Sequence, residues 1–393
     1  MGVRRIVRTR PTTTPLARFG RGAGGEGTRY APVPRHSSFI PHPSSFPRLA
    51  FTLVEMLTVI VIIGILASLI TAAVIHARAG VKVFTVRKEI NDLQQALEAY
   101  KIKYGEYPPD FTFLTAMNPN MRSIGQTAVV RHLRNAFPRY MENYPSDAAA
   151  WARFVTDIRQ YTFRLNARNY YLDPDPFGDA GVAPPAGMTA ALDPASALLF
   201  WLGGLPEGKR LPNGQLSGHT DFDAGEKWVP AGFNADKASP FKLGLPRTEP
   251  FFTFNAERLF ALQPMPADPT LFGPLRYHPP SIDREYVYFR ARRDPVSGRF
   301  EYGASLNATF FACAICGDCV PYMSGLTGDP AVPDTDRPWS DRQKFQIIAA
   351  GMDNQFGSGT AWRDLATGLG ISNADFDNIT SFADGKLEDA MPK

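Results

Sequence analysis

The sequence predicts an α+β protein in which one long N-terminal helix, transmembrane in its first half, packs its second half on a globular domain with antiparallel sheet. Three observations predict it. Met56 to Ile75 is a run of 20 residues without a charge. Beyond it Val83, Val86, Ile90, Leu93, Leu97, Tyr100 and Tyr104 recur at alternating steps of three and four, the spacing that puts side chains on one face of a helix. After Gly105 the pattern breaks into short apolar runs between Pro and Gly clusters, in a chain with 35 Pro and 33 Gly. That punctuation belongs to turns and strands.

Residues 1–50 come first and are rich in Arg, Pro, Gly and Ser with no apolar period. They read as a basic, disordered leader peptide, with a start codon further downstream as an open alternative. The uncharged 20-mer covers about 30 Å at about 1.5 Å per residue, the thickness of a hydrocarbon core. A core helix of a soluble protein is rarely apolar on every face for so long. No proline interrupts 51–104, and Gly105 with Pro108 and Pro109 supplies the stop. One helix over 51–104 is expected, with a coiled coil as the competing explanation of its stripe.

The domain at 105–393 offers helices near 126–136, 147–159 and 190–202. Residues 284–291 alternate, Asp294-Pro295-Val296-Ser297-Gly298 is turn chemistry, and 300–302 is the expected partner strand. A further strand is expected at 345–350. Helical segments between strands are too sparse for repeated βαβ units, which leaves antiparallel pairing.

Charge and composition exclude several functions. The net charge is +4, yet residues 1–50 hold nine Arg and one Glu, so residues 51–393 sum to −4. Basicity belongs to the leader, and no nucleic-acid partner is expected from a pI near 8.9. The six His are scattered and neither a metalloprotease helix motif nor a serine elbow occurs. The chain reads as a non-enzyme. Cys313, Cys316 and Cys319 are its three cysteines. A four-thiolate metal site lacks its fourth ligand, leaving one disulfide with a spare thiol or three free thiols. Arg-rich residues before the span place the N-terminus in the cytoplasm and the globular domain outside.

Ala50-Phe51-Thr52-Leu53-Val54-Glu55 followed by the apolar 20-mer resembles the N-terminus of type IV prepilins and type II secretion pseudopilins. The resemblance implies a prepilin peptidase that cuts between Ala50 and Phe51, where the family usually has Gly in place of Ala50, and N-methylation of Phe51. It implies that Glu55 pairs with the freed amine of a neighbouring subunit's Phe51 during assembly. A carboxylate deep in lipid needs such a partner, costing about 2.5 kcal/mol or more without one. Gly64, with Ser68, forms a small-xxx-small pair suited to close helix approach. Leu93-Gln94-Gln95-Ala96-Leu97-Glu98-Ala99-Tyr100 and Tyr104-Gly105-Glu106-Tyr107-Pro108 are similar to the helix-to-loop junction of major pseudopilins. The outer domain is larger than in that group.

The function implied is a structural subunit of a pseudopilus or pilus-like filament, with like subunits and an inner-membrane assembly platform as further partners. The alternative is a monomeric single-span protein whose outer domain binds a ligand or partner. Near the C-terminus 350–357 and 375–380 are similar to the loop in which major pseudopilins hold calcium, with Asp353, Asn354, Asp375 and Asp377 as candidate ligands. Oxygen-rich loops suit a hard cation, although Asx residues equally make turns and caps.

Overall fold

Helix α1, Leu53–Tyr104, covers both halves of the expected helix. It ends where the sequence demands, since Gly105 adopts φ +84° and its N–H donates to the Lys101 carbonyl at 2.7 Å, the left-handed closure that glycine takes without a Cβ penalty. The structure, a computed structural model, describes residues 52–114, 119–159, 162–165, 168–181, 192–205, 219–222, 230–242, 244, 246–261, 271–272, 274–293, 300–302, 319–323, 340, 344–357, 363–366, 368 and 370–391. Two compact units divide the chain, residues 1–65 and 66–393.

In the first unit, the described part of α1 is an apolar helical segment with every side chain exposed. In the second, α1 continues and is followed by α2 (Pro119–Ala136), α3 (Pro138–Met141) and α4 (Asp147–Arg159). The strands are β1 (Thr162–Leu165), β2 (Arg168–Tyr171), β3 (His219–Phe222), β4 (Leu259–Ala261), β5 (Leu271–Phe272), β6 (Leu275–Tyr277), β7 (Tyr286–Arg290), β8 (Arg292–Arg293), β9 (Phe300–Glu301), β10 (Tyr322–Met323), β11 (Phe345–Ala349), β12 (Arg363–Asp364) and β13 (Ile379–Thr380).

The apolar stripe explains how α1 is held. Val86, Ile90, Leu93, Leu97 and Tyr100 are fully buried, and Val83 and Tyr104 pack at the margins of the same core. Lys88 and Lys101 on other faces are exposed. Tyr100 meets the rings of Trp201 and Phe251 at 6.3 and 5.0 Å, edge and tilted geometries that suit ring quadrupoles. Polar contacts fix the register: Arg87 donates to the Thr380 carbonyl and Gln94 to that of Ser381 at 3.2 Å. Glu89 accepts from Tyr286 at 2.8 Å and pairs with Arg258. This removes a partly buried charge from isolation.

The sheet nearest this contact has the order β13-β11-β7, both pairs antiparallel, with Phe345 opposite Arg290 and Ala349 opposite Tyr286. All of β11 is buried. The expected hairpin between 284–291 and 300–302 is corrected here. Strand β7 pairs with β11, and only Arg292–Arg293 pair with Phe300–Glu301. Tyr286, Val287, Tyr288 and Phe289 are all buried, so β7 needs cover on both faces and a partner as apolar as itself. A second sheet, β3-β1-β2-β5, mixes the antiparallel pair β1·β2 with parallel neighbours.

The helix expected at 190–202 starts later. Asp193 Oδ1 accepts from the N–H groups of Ala195 and Ser196 at 3.1 and 2.9 Å, an Asx cap with Pro194 in the first turn. The helix then widens into a π-turn over Leu199–Gly203. That turn presents Trp201, whose indole N–H donates to the Pro109 carbonyl at 2.9 Å. Phe111, at φ +60°, stacks on Trp201 at 5.6 Å.

Candidate functional site

The head of α1 is built by two residues three positions apart, Thr52 and Glu55. The Glu55 N–H donates to Thr52 Oγ1 at 3.2 Å and the Thr52 N–H donates to Glu55 Oε2 at 3.4 Å. This reciprocal pair is a capping box, which satisfies two of the donors that every helix N-terminus leaves without intrahelical partners. The Thr52 carbonyl accepts from the Met56 N–H at 3.1 Å, so the first helical bond is already closed there. Thr52 was not among the residues singled out from the sequence. Its signal, a Thr three residues before a Glu and just ahead of an apolar run, was present in the chain.

Downstream, Leu53–Thr71 is long and apolar enough to cross a membrane and none of it is buried. Its hydroxyls do not break that character: Thr58 donates to the Val54 carbonyl at 2.8 Å and Thr71 to that of Ala67 at 2.7 Å. Hydroxyls satisfied within their own helix are tolerated in lipid. A Cβ added at Gly64 would meet nothing within 4 Å, so no packing among the described residues requires glycine there.

A family model described as the prokaryotic N-terminal methylation motif matches residues 47–71. The chain is a type IV pilin- or pseudopilin-like protein. The motif implies processing of this pilin-like chain by a prepilin peptidase and assembly with other pilin subunits. The single apolar helix near its N-terminus fits an inner-membrane anchor. No curated protein and no solved structure matches the chain. Ala50, Phe51 and the basic leader lie outside the described residues.

At the other end of the pilin-like chain, the four candidate calcium ligands fall into different surroundings. Asp375 is fully buried and committed: Arg363 Nε lies 2.9 Å from its Oδ1, Tyr322 donates to Oδ1 at 2.7 Å, and Ser372 N–H and hydroxyl donate to Oδ2 at 2.8 and 2.7 Å. It holds the fold of the 372–376 turn. Asn354, at φ +59°, uses its Oδ1 to accept from the Asp283 N–H at 2.8 Å. Asp353 Oδ1 accepts from the Gln355 N–H at 2.9 Å.

Asp377 differs. Its Oδ2 accepts from the Met352 N–H at 2.6 Å, its carboxylate lies against Gly351, and its buried Oδ1 has no hydrogen-bond partner. Burial pushes its carboxyl up from the usual range, and the Asp353 carboxylate adds to the rise. Backbone N–H groups of Met352 and Asp353 and the Lys386 cation offset part of that rise. Among the described residues no group of three or more His, Cys, Asp or Glu gathers as a metal site. Cys319 is a buried free thiol whose pKa burial raises strongly, whereas Cys313 and Cys316 lie outside the described residues.

A further polar chain ties the helix to the loop that follows it. Tyr100 OH lies 2.8 Å from His132 Nε2, His132 Nδ1 lies 3.0 Å from Glu106 Oε1, and Arg290 donates to Glu106 Oε2 at 2.6 Å. An ionised Glu106 assigns the proton to Nδ1, so Nε2 accepts from the tyrosine. Burial lowers the His132 pKa, while Glu106 is held well below the usual carboxylate range by His132 and Arg290 against its own desolvation. Sequence reasoning missed His132, because its partners are distant in the chain and no local spacing marks it.

Proposed function

We propose that this chain is a structural subunit of a type II secretion pseudopilus or a type IV pilus-like filament. The observation that carries the proposal is the coincidence of the matched motif at 47–71 with a helix that is exposed and apolar first and stripe-buried afterwards. A peptidase cuts between Ala50 and Phe51, Phe51 becomes the N-methylated terminus, and the globular domain faces away from the cytoplasm. Glu55 then exchanges its contact with the Thr52 N–H for the ammonium of a neighbour's Phe51. Gly64 admits the close approach of helices, and an inner-membrane platform lifts the subunit from lipid. Asp353 and Asp377 are the part of the C-terminal loop we propose for calcium, with Asp375 set aside by its ion pair.

Mass spectrometry of the protein purified from membranes tests the processing step. The expected species begins at methylated Phe51, and a mature membrane protein with its leader intact would overturn the proposal. The competing single-span binding protein needs no Glu55 pairing. Crosslinking discriminates the two, because self-association unchanged by Glu55→Ala would favour the monomeric protein.

A further inference from the structure

Between Glu55 and Glu89 the chain has no acidic residue, yet Arg78, Lys82, Arg87 and Lys88 follow one another just past the uncharged segment. Arg87 is turned to Thr380 and Asp384, and Lys88 pairs with Asp92. Arg78 and Lys82 are exposed one helical turn apart. Val81, about 60° round the helix from Arg78, and Phe84, on the next face beyond it, are 63% and 71% exposed. At 3.6 residues per turn these two fall on the side of α1 opposite the buried Val86, Ile90 and Leu93.

We propose that Arg78 and Lys82, with Val81 adjoining Arg78 on the helix surface, form a seat for anionic phospholipid headgroups in the leaflet on the globular-domain side. The inference rests on reading Met56–Ile75 as a membrane span. Arg78 then lies about 4.5 Å and Lys82 about 10 Å beyond its end along the helix axis. Helical side chains lean toward the helix N-terminus, which here is toward the span. Both cationic heads are thereby carried back into the headgroup layer, which adds roughly 5–8 Å to each side of the hydrocarbon core. Long cationic side chains lie along apolar neighbours in this way while their charges stay at the interface. A phosphate diester complements the pair, whereas a second copy packed in register would set cation against cation.

Full-length protein in nanodiscs of phosphatidylcholine, alone or mixed with phosphatidylglycerol, tests the seat. Lipid retained on transfer to mild detergent is measured by mass spectrometry. Phosphatidylglycerol is expected to be enriched over phosphatidylcholine, and R78Q/K82Q to lower that enrichment by about fivefold for each charge removed. R139Q/K237Q, which removes exposed cations elsewhere, should leave it unchanged. Equal enrichment in wild type and R78Q/K82Q, or an equal loss in the control pair, would overturn the seat. Preferential crosslinking of Val81→Cys to a second copy in the bilayer would reassign this face to a subunit contact and overturn the seat. Failure to enter either nanodisc would sink the span itself, a result distinct from loss of lipid preference.

Discussion

Glu55 and Thr52 hold each other at the head of α1, the carboxylate on the threonine N–H and the threonine hydroxyl on the glutamate N–H. One side chain therefore has a cap to supply and a charge to place. The two separate chemically, because glutamine can complete a capping box without a charge. Glu55→Gln is expected to leave amide exchange at the start of α1 unchanged while weakening self-association. Thr52→Val should do the reverse, raising exchange over Leu53–Leu57 by about fivefold for a cap worth about 1 kcal/mol. Hydrogen exchange read by mass spectrometry checks both. Identical behaviour of the two variants would mean that cap and charge are not separable functions.

The buried stripe makes a quantitative contrast along a single helix. Leu93 and Leu97 are fully buried, while Ile102 is 86% exposed. Leu93→Ala and Leu97→Ala are each expected to cost about 2–5 kcal/mol, transfer and cavity terms together. Ile102→Ala should stay within about 0.5 kcal/mol. Denaturant unfolding followed by tryptophan emission reports the difference, since Trp201 sits against Tyr100 of the stripe. Equal midpoints for all three variants would remove the stripe as the anchor of the helix.

The same helix shows what a sequence discloses. Its stripe was legible because period and burial are both local: Val86 to Tyr104 repeat at helical spacing, and Gly105 ends the element by a backbone conformation few other residues take. Helix α4, Asp147–Arg159, coincides with the expected 147–159 for the same reason. Pairing of β7 with β11 was not legible, because Tyr286 and Ala349 are brought together by a core that no spacing encodes. Asp375 shows the limit at the candidate cation loop. The likeness of 375–380 to the calcium loop of major pseudopilins suggested a ligand, but Arg363 and Tyr322 engage it from elsewhere in the chain.

Asp377 supplies a test of the proposed calcium role. A ligand bound by the folded state alone stabilises it by RT ln(1 + [L]/Kd), about 2.7 kcal/mol at a hundredfold excess over Kd. Calcium is expected to raise the thermal midpoint of the wild-type protein and to do so far less for Asp377→Asn. Asn retains the acceptor toward the Met352 N–H but removes the charge that repels Asp353. Without calcium, Asp377→Asn should therefore be as stable as wild type or more so. An equal calcium shift in both proteins would place the ion elsewhere.

His132 makes the globular part sensitive to mild acid. Its neutral ring is satisfied on both nitrogens by Tyr100 and Glu106, and burial holds its pKa below the ordinary value, with Arg290 and Arg131 pushing the same way. The unfolded chain then takes up a proton near pH 6.5 that the fold resists, so stability is complete above that pH and declines as pH falls through it. Glu106 acts lower down. Held below the usual carboxylate range, it contributes above about pH 4.3 and loses that contribution as pH drops further. Buried Asp110 runs the other way, its pKa raised by desolvation, so acid favours its folded form. The expected result is a urea midpoint that falls between pH 7 and pH 5 in the wild type and falls less in His132→Gln, whose side chain can still bridge the two partners but cannot take a proton. An identical fall in both proteins would assign the acid sensitivity to other groups.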